Sequence, residues 1–333
     1  MTTICLGMMS GGLDSILAAR CLVEQGLDVR LLHLRIPFHG GKGGDPAGDA
    51  AAQLGLPLIE RDLGEDFLEM LRNPRWGTGK GLNPCIDCRI YQLKRAREVA
   101  DEVGARFIFT GEVLGQRPMS QQRRAMRTVA REAGLKGKLL RPLSARLLTP
   151  TEAEDEGWVE REGLLDLSGR GRKPQMELAR QWGITDYPGS AGGCLLTDKG
   201  FSRRLADLFE HHLDCTLADM ELLKLGRHFR TPDGARVIVG RNKGENQRLR
   251  RLPAAGWKVF MEDLPGPVVL VQDADEAHAI PLGGDAALAH STVEAGTPLT
   301  LSVTGPGGAH SSRSHVPTAA GWELRDRMAD WRL

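Results

Sequence analysis

A short glycine turn near the amino terminus constrains this chain more than any other feature. The apolar run Ile4–Leu6 predicts a buried strand and Ile16–Val23 predicts a helix, with Ser10–Ser15 as a tight turn between them. The turn reads Ser-Gly-Gly-Leu-Asp-Ser. Adjacent glycines let backbone N–H groups point inward, and a helix amino terminus adds partial positive charge. The turn therefore predicts a cradle for a pyrophosphate-sized anion.

The residues of this turn predict separate contributions to such a cradle. Gly11 and Gly12 supply backbone donors, and the hydroxyls of Ser10 and Ser15 supply further ones. Asp14 could hold a Mg²⁺ ion that bridges phosphates. The turn is not a Walker A loop, which has a longer spacer and ends in Gly-Lys-Ser/Thr. The alternative interpretation is an ordinary glycine turn between a strand and a helix.

The first two thirds of the chain alternate between strand and helix patterns. Strands are predicted at residues 29–34, 57–60 and 106–112, and apolar spacing predicts a helix over 90–103. This order predicts an α/β fold with a doubly wound parallel sheet. Ligands of such sheets lie beyond the carboxyl ends of the strands. We therefore expect an ATP-sized ligand near Ser10, His33, Thr110, Gly111 and Glu112, with Gln116 as a possible contact.

The alternation ends near Cys215, which predicts two domains. We place a domain that carries the Ser10–Ser15 turn at residues 1–214 and a second, smaller α+β domain at 215–333. Gly305–Ser312 is rich in turn formers and predicts a loop.

Composition bounds the class of protein. A hydrophobic content of 41% and a charged content of 26% are ordinary for a globular protein. No segment has the roughly 20 apolar residues of a membrane span, and no secretory signal precedes the first strand. We therefore expect a cytoplasmic protein, in which the six cysteines are thiols or metal ligands rather than disulfides.

Three cysteines lie in settings that predict chemistry. Cys85 and Cys88 form a Cys-x-x-Cys pair immediately before the predicted helix, and Cys194 follows the glycine turn 191–193. Three thiolates suit an iron–sulfur cluster with one iron free for substrate. They also suit a pair of sulfur-carrying catalytic cysteines, or unrelated thiols. A closed zinc site would need a fourth ligand, for which the chain offers His211, His212 or Cys215.

Basic residues concentrate in two places. Residues 117–146 contain nine basic residues and one acid, Glu132. Such a run is either a solvated helix face or a surface for a phosphate backbone. A second group predicts RNA binding, against the alternative of a charged surface around a small β unit: Lys224, Arg227, His228, Arg230, Arg241 and Lys243.

These motifs together resemble a known group. Ser10–Ser15 resembles the PP-loop of the ATP pyrophosphatase superfamily. With the three cysteines and the element 110–116, the chain resembles the tRNA thiolation enzymes of that superfamily. The Gly-Glu-x-x-Gly-Gln pattern is similar to the 4-thiouridine synthetase family, and the cysteine set is similar to the iron–sulfur-dependent 2-thiouridine synthetases. Residues 224–230 and 237–242 resemble the RNA-binding module of the NFACT family.

The resemblance implies a tRNA sulfurtransferase that uses ATP, Mg²⁺ and a 4Fe-4S cluster. Such an enzyme adenylates a uridine carbonyl oxygen, releases pyrophosphate and replaces the oxygen with sulfur. Asp14, Cys85, Cys88 and Cys194 would then be catalytic, with the three cysteines as cluster ligands. The sulfur would come from a cysteine desulfurase or inorganic sulfide, and 4-thiouridine is favoured over 2-thiouridine as product.

Two other functions fit the same sequence. A PP-loop ligase or amidotransferase would adenylate a carboxylate or base for attack by an amine, without needing cysteines. A non-catalytic RNA-binding iron–sulfur protein would need no ATP turnover. The sequence leaves open the target uridine, the immediate sulfur donor and the oligomeric state.

Overall fold

The computed structural model describes residues 2–36, 38, 44–189, 194–253, 256–291, 298–317 and 319–333. The chain divides into two compact units, residues 1–198 and 199–333, whereas the sequence predicts a boundary between 214 and 215. The helix at 199–211 is grouped with the second unit, where the Arg230 guanidinium binds the carboxylate of Asp207 at 2.7 and 3.0 Å.

The first unit contains a five-stranded parallel sheet, which confirms the predicted α/β class. Its strands are β1 (Ile4–Met8), β2 (Asp28–Arg35), β3 (Leu58–Asp62), β4 (Phe107–Thr110) and β5 (Leu139–Leu140). Their order in the sheet is β3-β2-β1-β4-β5. From β1 the chain adds β2 and β3 on one side of the sheet and then crosses over to add β4 and β5 on the other side of β1. The order of the strands therefore reverses between β1 and β4, which are neighbours. A crevice at their carboxyl ends is the expected ligand position.

Helices cover the sheet of the first unit. They are α1 (Leu13–Val23), α2 (Pro46–Leu54), α3 (Asp66–Arg72), α4 (Cys85–Val103), α5 (Arg123–Glu132), α6 (Glu152–Asp155) and α7 (Lys173–Gln181). Helix α1 is buried at eight positions because it is apolar around most of its circumference and packs between the sheet and α7. Because α1 is held by this packing, the Ser10–Ser15 turn that precedes it is also held in position. Among the described residues, no helix combines the length and the apolar character needed to cross a membrane.

The second unit is an α+β domain, as predicted. It contains α8 (Lys199–His211), α9 (Leu217–Leu222), β6 (Arg227–Arg230), β7 (Arg236–Val239), α10 (Lys243–Arg251), β8 (Trp257–Met261), β9 (Val269–Gln272), α11 (Glu276–Ala289), β10 (Leu299–Thr304), β11 (His310–His315) and α12 (Gly321–Ala329). The strands form an antiparallel sheet in the order β11-β10-β8-β9-β7-β6. Helix α11 packs on this sheet and α12 packs on α11.

The loop predicted over Gly305–Ser312 is only partly a loop. β11 begins at His310 and pairs along its whole length with β10. It is an edge strand whose residues are mostly exposed, so it carries no apolar alternation that sequence analysis could detect.

Candidate functional sites

The turn between β1 and α1 is held in shape by its own residues. Gly11 has a φ of +74°, and a Cβ there would lie 2.3 Å from the carbonyl oxygen of Pro46, so only glycine fits. The Ser15 hydroxyl donates to the Gly12 carbonyl at 2.7 Å and lies 3.3 Å from the hydroxyl of Ser10. Gly12 is the amino-terminal cap of α1, and no side chain caps the helix. Two N–H groups of the turn make only long contacts, Gly12 with the Ser10 hydroxyl and Ser10 with the Ser15 hydroxyl, each at 3.4 Å. An anion at the uncapped start of α1 could replace these contacts.

Asp14 and Gln116 meet in this turn. The Gln116 side-chain amide donates to Asp14 Oδ2 at 3.1 Å. Asp14 Oδ1 is buried and has no hydrogen-bond partner among the described residues. A buried, unpartnered carboxylate oxygen beside a phosphate cradle is the type of ligand that Mg²⁺ takes, so the site fits that ion.

The backbone just after β4, at Gly111, packs directly against the backbone of the same turn. A Cβ on Gly111 would lie 2.5 Å from the Asp14 carbonyl oxygen and 2.6 Å from the Ser15 nitrogen. At the end of β2, His33 Nδ1 lies 2.9 Å from the Met9 carbonyl oxygen. Because a carbonyl can only accept, Nδ1 carries the proton, which fixes the orientation of the ring. The structure thus brings Gly111, His33 and Gln116 to the turn.

Glu112 lies inside the protein rather than in an open crevice. Its carboxylate accepts from Arg141 Nε at 2.9 Å and from the Thr110 hydroxyl at 3.1 Å, and it lies 3.2 Å from Arg89 Nε. Burial alone would raise the pKa of Glu112, but the two guanidinium groups and the hydrogen bonds outweigh it and hold the pKa below its usual range. Thr110 is also buried. These two residues organise the end of β4.

The cysteine pair does not precede a helix but lies in its first turn. α4 begins at Cys85 with Pro84 as its cap, and the Cys88 N–H makes the first intrahelical bond, to the Pro84 carbonyl at 2.8 Å. Proline is tolerated there because a cap position needs no intrahelical N–H. The segment after Cys194 is joined to the loop before α4 by a bond from the Leu82 N–H to the Leu196 carbonyl at 3.1 Å. The glycine turn 190–193 lies outside the described residues.

The three thiols share one electrostatic neighbourhood. Burial raises the pKa of Cys88 to about 12, with smaller contributions from Cys194 and Cys85 in the same direction. Burial also raises the pKa of Cys194, and Cys85 adds to that shift. Within the described residues, no three Cys, His, Asp or Glu side chains converge on a single metal ion. Three thiols that affect one another's pKa are the type of donor set that a cluster with three protein ligands would take.

A chain of polar contacts, missed by the sequence analysis, joins Glu112 to Cys88. The Arg89 side chain contacts Glu112 and also donates to Gln92 Oε1 at 3.1 Å. The Gln92 amide then donates to Cys88 Sγ at 3.0 Å. Since Oε1 is taken by a guanidinium, the amide nitrogen must face the sulfur. The helical spacing of 88, 89 and 92 was the available signal for the contacts within α4. The contact with Glu112, which lies in the loop after β4, was not visible in that spacing.

The basic run 117–146 separates into buried and exposed members. Arg141 is buried against Glu112. On α5, the side opposite the buried Ala125, Met126 and Val129 carries exposed arginines. Arg124 and Arg127 have no carboxylate partner in the part of the chain that the structure describes. We call Arg124 and Arg127 the α5 arginine pair.

The predicted RNA-binding residues of the second unit also separate. His228 is buried with Nε2 2.7 Å from the Leu225 carbonyl, and Arg230 binds Asp207 and Asp273, so neither is available to RNA. Lys224 pairs with Glu221. The remaining three, Arg227, Arg241 and Lys243, line a cavity of about 810 Å³.

Comparison with known families agrees with both units. Residues 2–146 match the family described as thiamine biosynthesis protein (ThiI), and residues 226–327 match the NFACT protein RNA binding domain. These matches confirm the resemblance to the PP-loop tRNA thiolation enzymes and the resemblance to the NFACT RNA-binding module.

Individual relatives are tRNA-modifying proteins. A tRNA-specific 2-thiouridylase MnmA of Syntrophotalea carbinolica is 38% identical over 116 residues, which are 31% of this chain and 32% of the relative. That of Bradyrhizobium diazoefficiens is 28% identical over 256 residues, 71% of this chain and 61% of the relative. The chain thus spans less than two thirds of these relatives. A predicted subunit of tRNA methyltransferase from Methanocaldococcus jannaschii is similar in structure with a TM-score of 0.34, at 16% identity, over 54% of this chain and 76% of that one. The chain therefore joins a segment similar to the ThiI family to a segment similar to the NFACT RNA-binding domain.

Proposed function

We propose that this protein is an ATP-dependent tRNA sulfurtransferase that makes thiouridine. The observation that carries the proposal is the presence, in one unit, of a phosphate cradle with an unpartnered Asp14 oxygen and of three mutually interacting thiols. An adenylating ligase would use the first feature and leave the second without a purpose. The names of the relatives, tRNA-specific 2-thiouridylases, point to the same chemistry.

The first half of the reaction activates the base. The uridine carbonyl oxygen attacks the α-phosphorus of ATP, the bond to the β-phosphate bridging oxygen breaks, and pyrophosphate leaves. Backbone N–H groups of the turn at Gly11 and Gly12 stabilise the charge that develops on the leaving group. Asp14 would hold Mg²⁺, which neutralises phosphate charge, while Gln116 orients the Asp14 carboxylate through its amide.

The second half exchanges oxygen for sulfur. Hydrosulfide attacks the activated carbon, the carbon–oxygen bond breaks, AMP leaves with the former carbonyl oxygen, and loss of the sulfur-bound proton gives thiouridine. Cys85, Cys88 and Cys194 would hold a 4Fe-4S cluster, which supplies an open iron site for sulfur. Gln92 and Arg89 hold Cys88 in place. The sulfur would come from a cysteine desulfurase or from inorganic sulfide.

The proposal also covers the thiouridine isomer that is formed, the surface that contacts tRNA and the cellular compartment. We favour 4-thiouridine over 2-thiouridine because of the Gly-Glu-x-x-Gly-Gln element and its likeness to the 4-thiouridine synthetase family. The relatives named tRNA-specific 2-thiouridylases point to 2-thiouridine instead, and nucleoside mass spectrometry decides between the two products. The α5 arginine pair offers unpaired cations to a tRNA backbone in the unit that carries the turn. All six cysteines are thiols rather than members of disulfides, which suits the reducing cytoplasm.

The test separates activation from sulfur transfer. Full-length protein is incubated anaerobically with ATP, sulfide and unmodified tRNA. Pyrophosphate exchange into ATP reports adenylation, and mass spectrometry of tRNA nucleosides reports thiouridine and distinguishes the 4-thio and 2-thio products. We expect Asp14→Asn to lose both signals. Cys194→Ala should lose thiouridine and keep tRNA-dependent exchange, because its thiol acts only after adenylation.

A matched control is Cys215→Ala, which removes a thiol outside the set of three. Both signals should stay at the level of the unaltered protein. Full thiouridine formation by Cys194→Ala would contradict the sulfur role of the three thiols. Transfer of an amine rather than sulfur to the adenylated group would favour the ligase instead.

A further inference from the structure

The cavity of the second unit is rich in basic side chains, which make up six of its 15 lining residues. Its basic lining residues are Arg227, Arg241, Lys243, Arg250, Arg325 and Arg332, with Asn242, Asn246 and Gln247 beside them and no Asp or Glu among the lining residues. Of the six cations, only Arg241 has a carboxylate partner in the part of the chain that the structure describes, namely Glu245. The other five carry their charge without an internal counterion.

Electrostatics indicate that this arrangement costs stability in the absence of a ligand. Burial, and then the positive charges of Arg227, Arg325 and Arg332, lower the pKa of His290, so these guanidinium groups lie near one another. Lys243 is the first residue of α10, where the helix dipole disfavours a cation. Neither feature helps the domain to fold. Both are favourable once a polyanion fills the cavity.

An exposed aromatic side chain lies on α12, the helix that contributes Arg325 and Ala329 to the cavity lining. Trp322 is 64% exposed, among the most exposed large apolar side chains of the described residues. It lies about two helical turns before Ala329, which lines the cavity, and therefore on the same face of the helix. Arg325, which also lines the cavity, lies between them near that face.

We propose that this cavity and Trp322 form a binding site for single-stranded RNA, with phosphates in the cavity and a base stacked on the indole. Stacking on an exposed aromatic ring requires an unstacked base, which a loop or a free end of tRNA offers and a duplex does not. The inference rests on the proposed function for its RNA substrate, and it adds the kind of RNA segment and the residues that hold it.

The test measures binding of the full-length protein to a short fluorescent oligoribonucleotide, either single-stranded or annealed to its complement, at several salt concentrations. The single strand should bind more tightly than the duplex. Trp322→Ala should weaken single-strand binding about tenfold, and Trp322→Phe should retain most of it because a ring remains. Lys243→Ala and Arg332→Ala should each lower the slope of log affinity against log salt by about 0.7, the value for one phosphate that the protein no longer neutralises.

Arg327→Ala is the matched control, because Arg327 is an exposed arginine on α12 that does not line the cavity. Its affinity and salt slope should equal those of the unaltered protein. Equal binding of duplex and single strand, or unchanged affinity in both Trp322→Ala and Arg332→Ala, would overturn the proposal.

The binding assay needs neither ATP nor thiolation. It can therefore contradict the single-stranded RNA site without contradicting the proposed sulfurtransferase function, and the activity assay can do the reverse. Single-strand binding that responds to these variants, in a protein that never thiolates tRNA, would count against the proposed function alone. Thiolation with no single-strand preference would count against this site alone.

Discussion

At the scale of residues, the site depends on side chains that touch no substrate. Glu112 is a buried carboxylate between Arg141 and Arg89. Removing one partner of a buried ion pair leaves an uncompensated charge, which typically costs about 3–5 kcal/mol. Glu112 is thereby tied to its partners and fixes Arg89, which in turn orients Gln92 towards Cys88. The position of the Cys88 thiol thus depends on the segment that follows β4, which also approaches the Ser10–Ser15 turn.

Gln92→Leu tests this positioning role. The variant keeps a similar volume but removes the N–H donated to Cys88 Sγ, a bond that favours the thiolate. We expect the rate of Cys88 alkylation by iodoacetamide in the metal-free protein, followed by peptide mass spectrometry, to fall about threefold to tenfold. Gln181→Leu, which alters an exposed glutamine on α7 that bonds to Glu177, should leave that rate unchanged. An unchanged rate in Gln92→Leu would show that the amide does not tune this thiol.

At the scale of elements, the contact between the end of β4 and the start of α1 sets the shape of the cradle. Gly111→Ala introduces a Cβ at 2.5 Å from the Asp14 carbonyl oxygen, and because both sides are backbone, the turn must shift. A misplacement of about 1 Å can cost about 100-fold in rate. We expect at least a tenfold loss of pyrophosphate exchange, measured with saturating tRNA. Gly171→Ala, with nothing within 4 Å of its Cβ, should exchange normally; equal activity of the two variants would refute the argument.

The helices and strands also show which features of the molecule can be predicted from its sequence and which cannot. Strand and helix order and the Ser10–Ser15 turn are encoded locally, in apolar periodicity and glycine spacing, and were predicted. The start of α4 at Cys85 was missed because Cys-x-x-Cys has no helical signature of its own. The burial of Glu112, Arg230 and His228 was missed because their partners come from distant segments, and charged or polar residue types predict exposure.

At the scale of the whole molecule, each unit offers its own cations to one polynucleotide: the α5 arginine pair in the first, and the cavity residues in the second. A ligand held at two sites gains affinity from the effective concentration of the second contact. Under the two proposals, a full tRNA contacts both sets, whereas a short single strand contacts only the cavity and Trp322. The contributions of the two units can therefore be separated by the length of the RNA.

The double variant Arg124→Ala/Arg127→Ala should weaken tRNA binding and lower its salt slope by about 0.7–0.9 for each phosphate that these arginines neutralise in the unaltered protein. It should leave the affinity for the short single strand unchanged, because that RNA binds through the second unit. Both affinities are measured by fluorescence anisotropy on the full-length protein. The control is Arg180→Ala, which removes an exposed arginine of α7 that pairs with Glu177.

Loss of short-strand binding in the double variant would mean that the α5 arginine pair belongs to the same binding site as the cavity. Unchanged tRNA binding would mean that α5 is simply a solvated helix face, and that the first unit recognises its uridine without holding the backbone there.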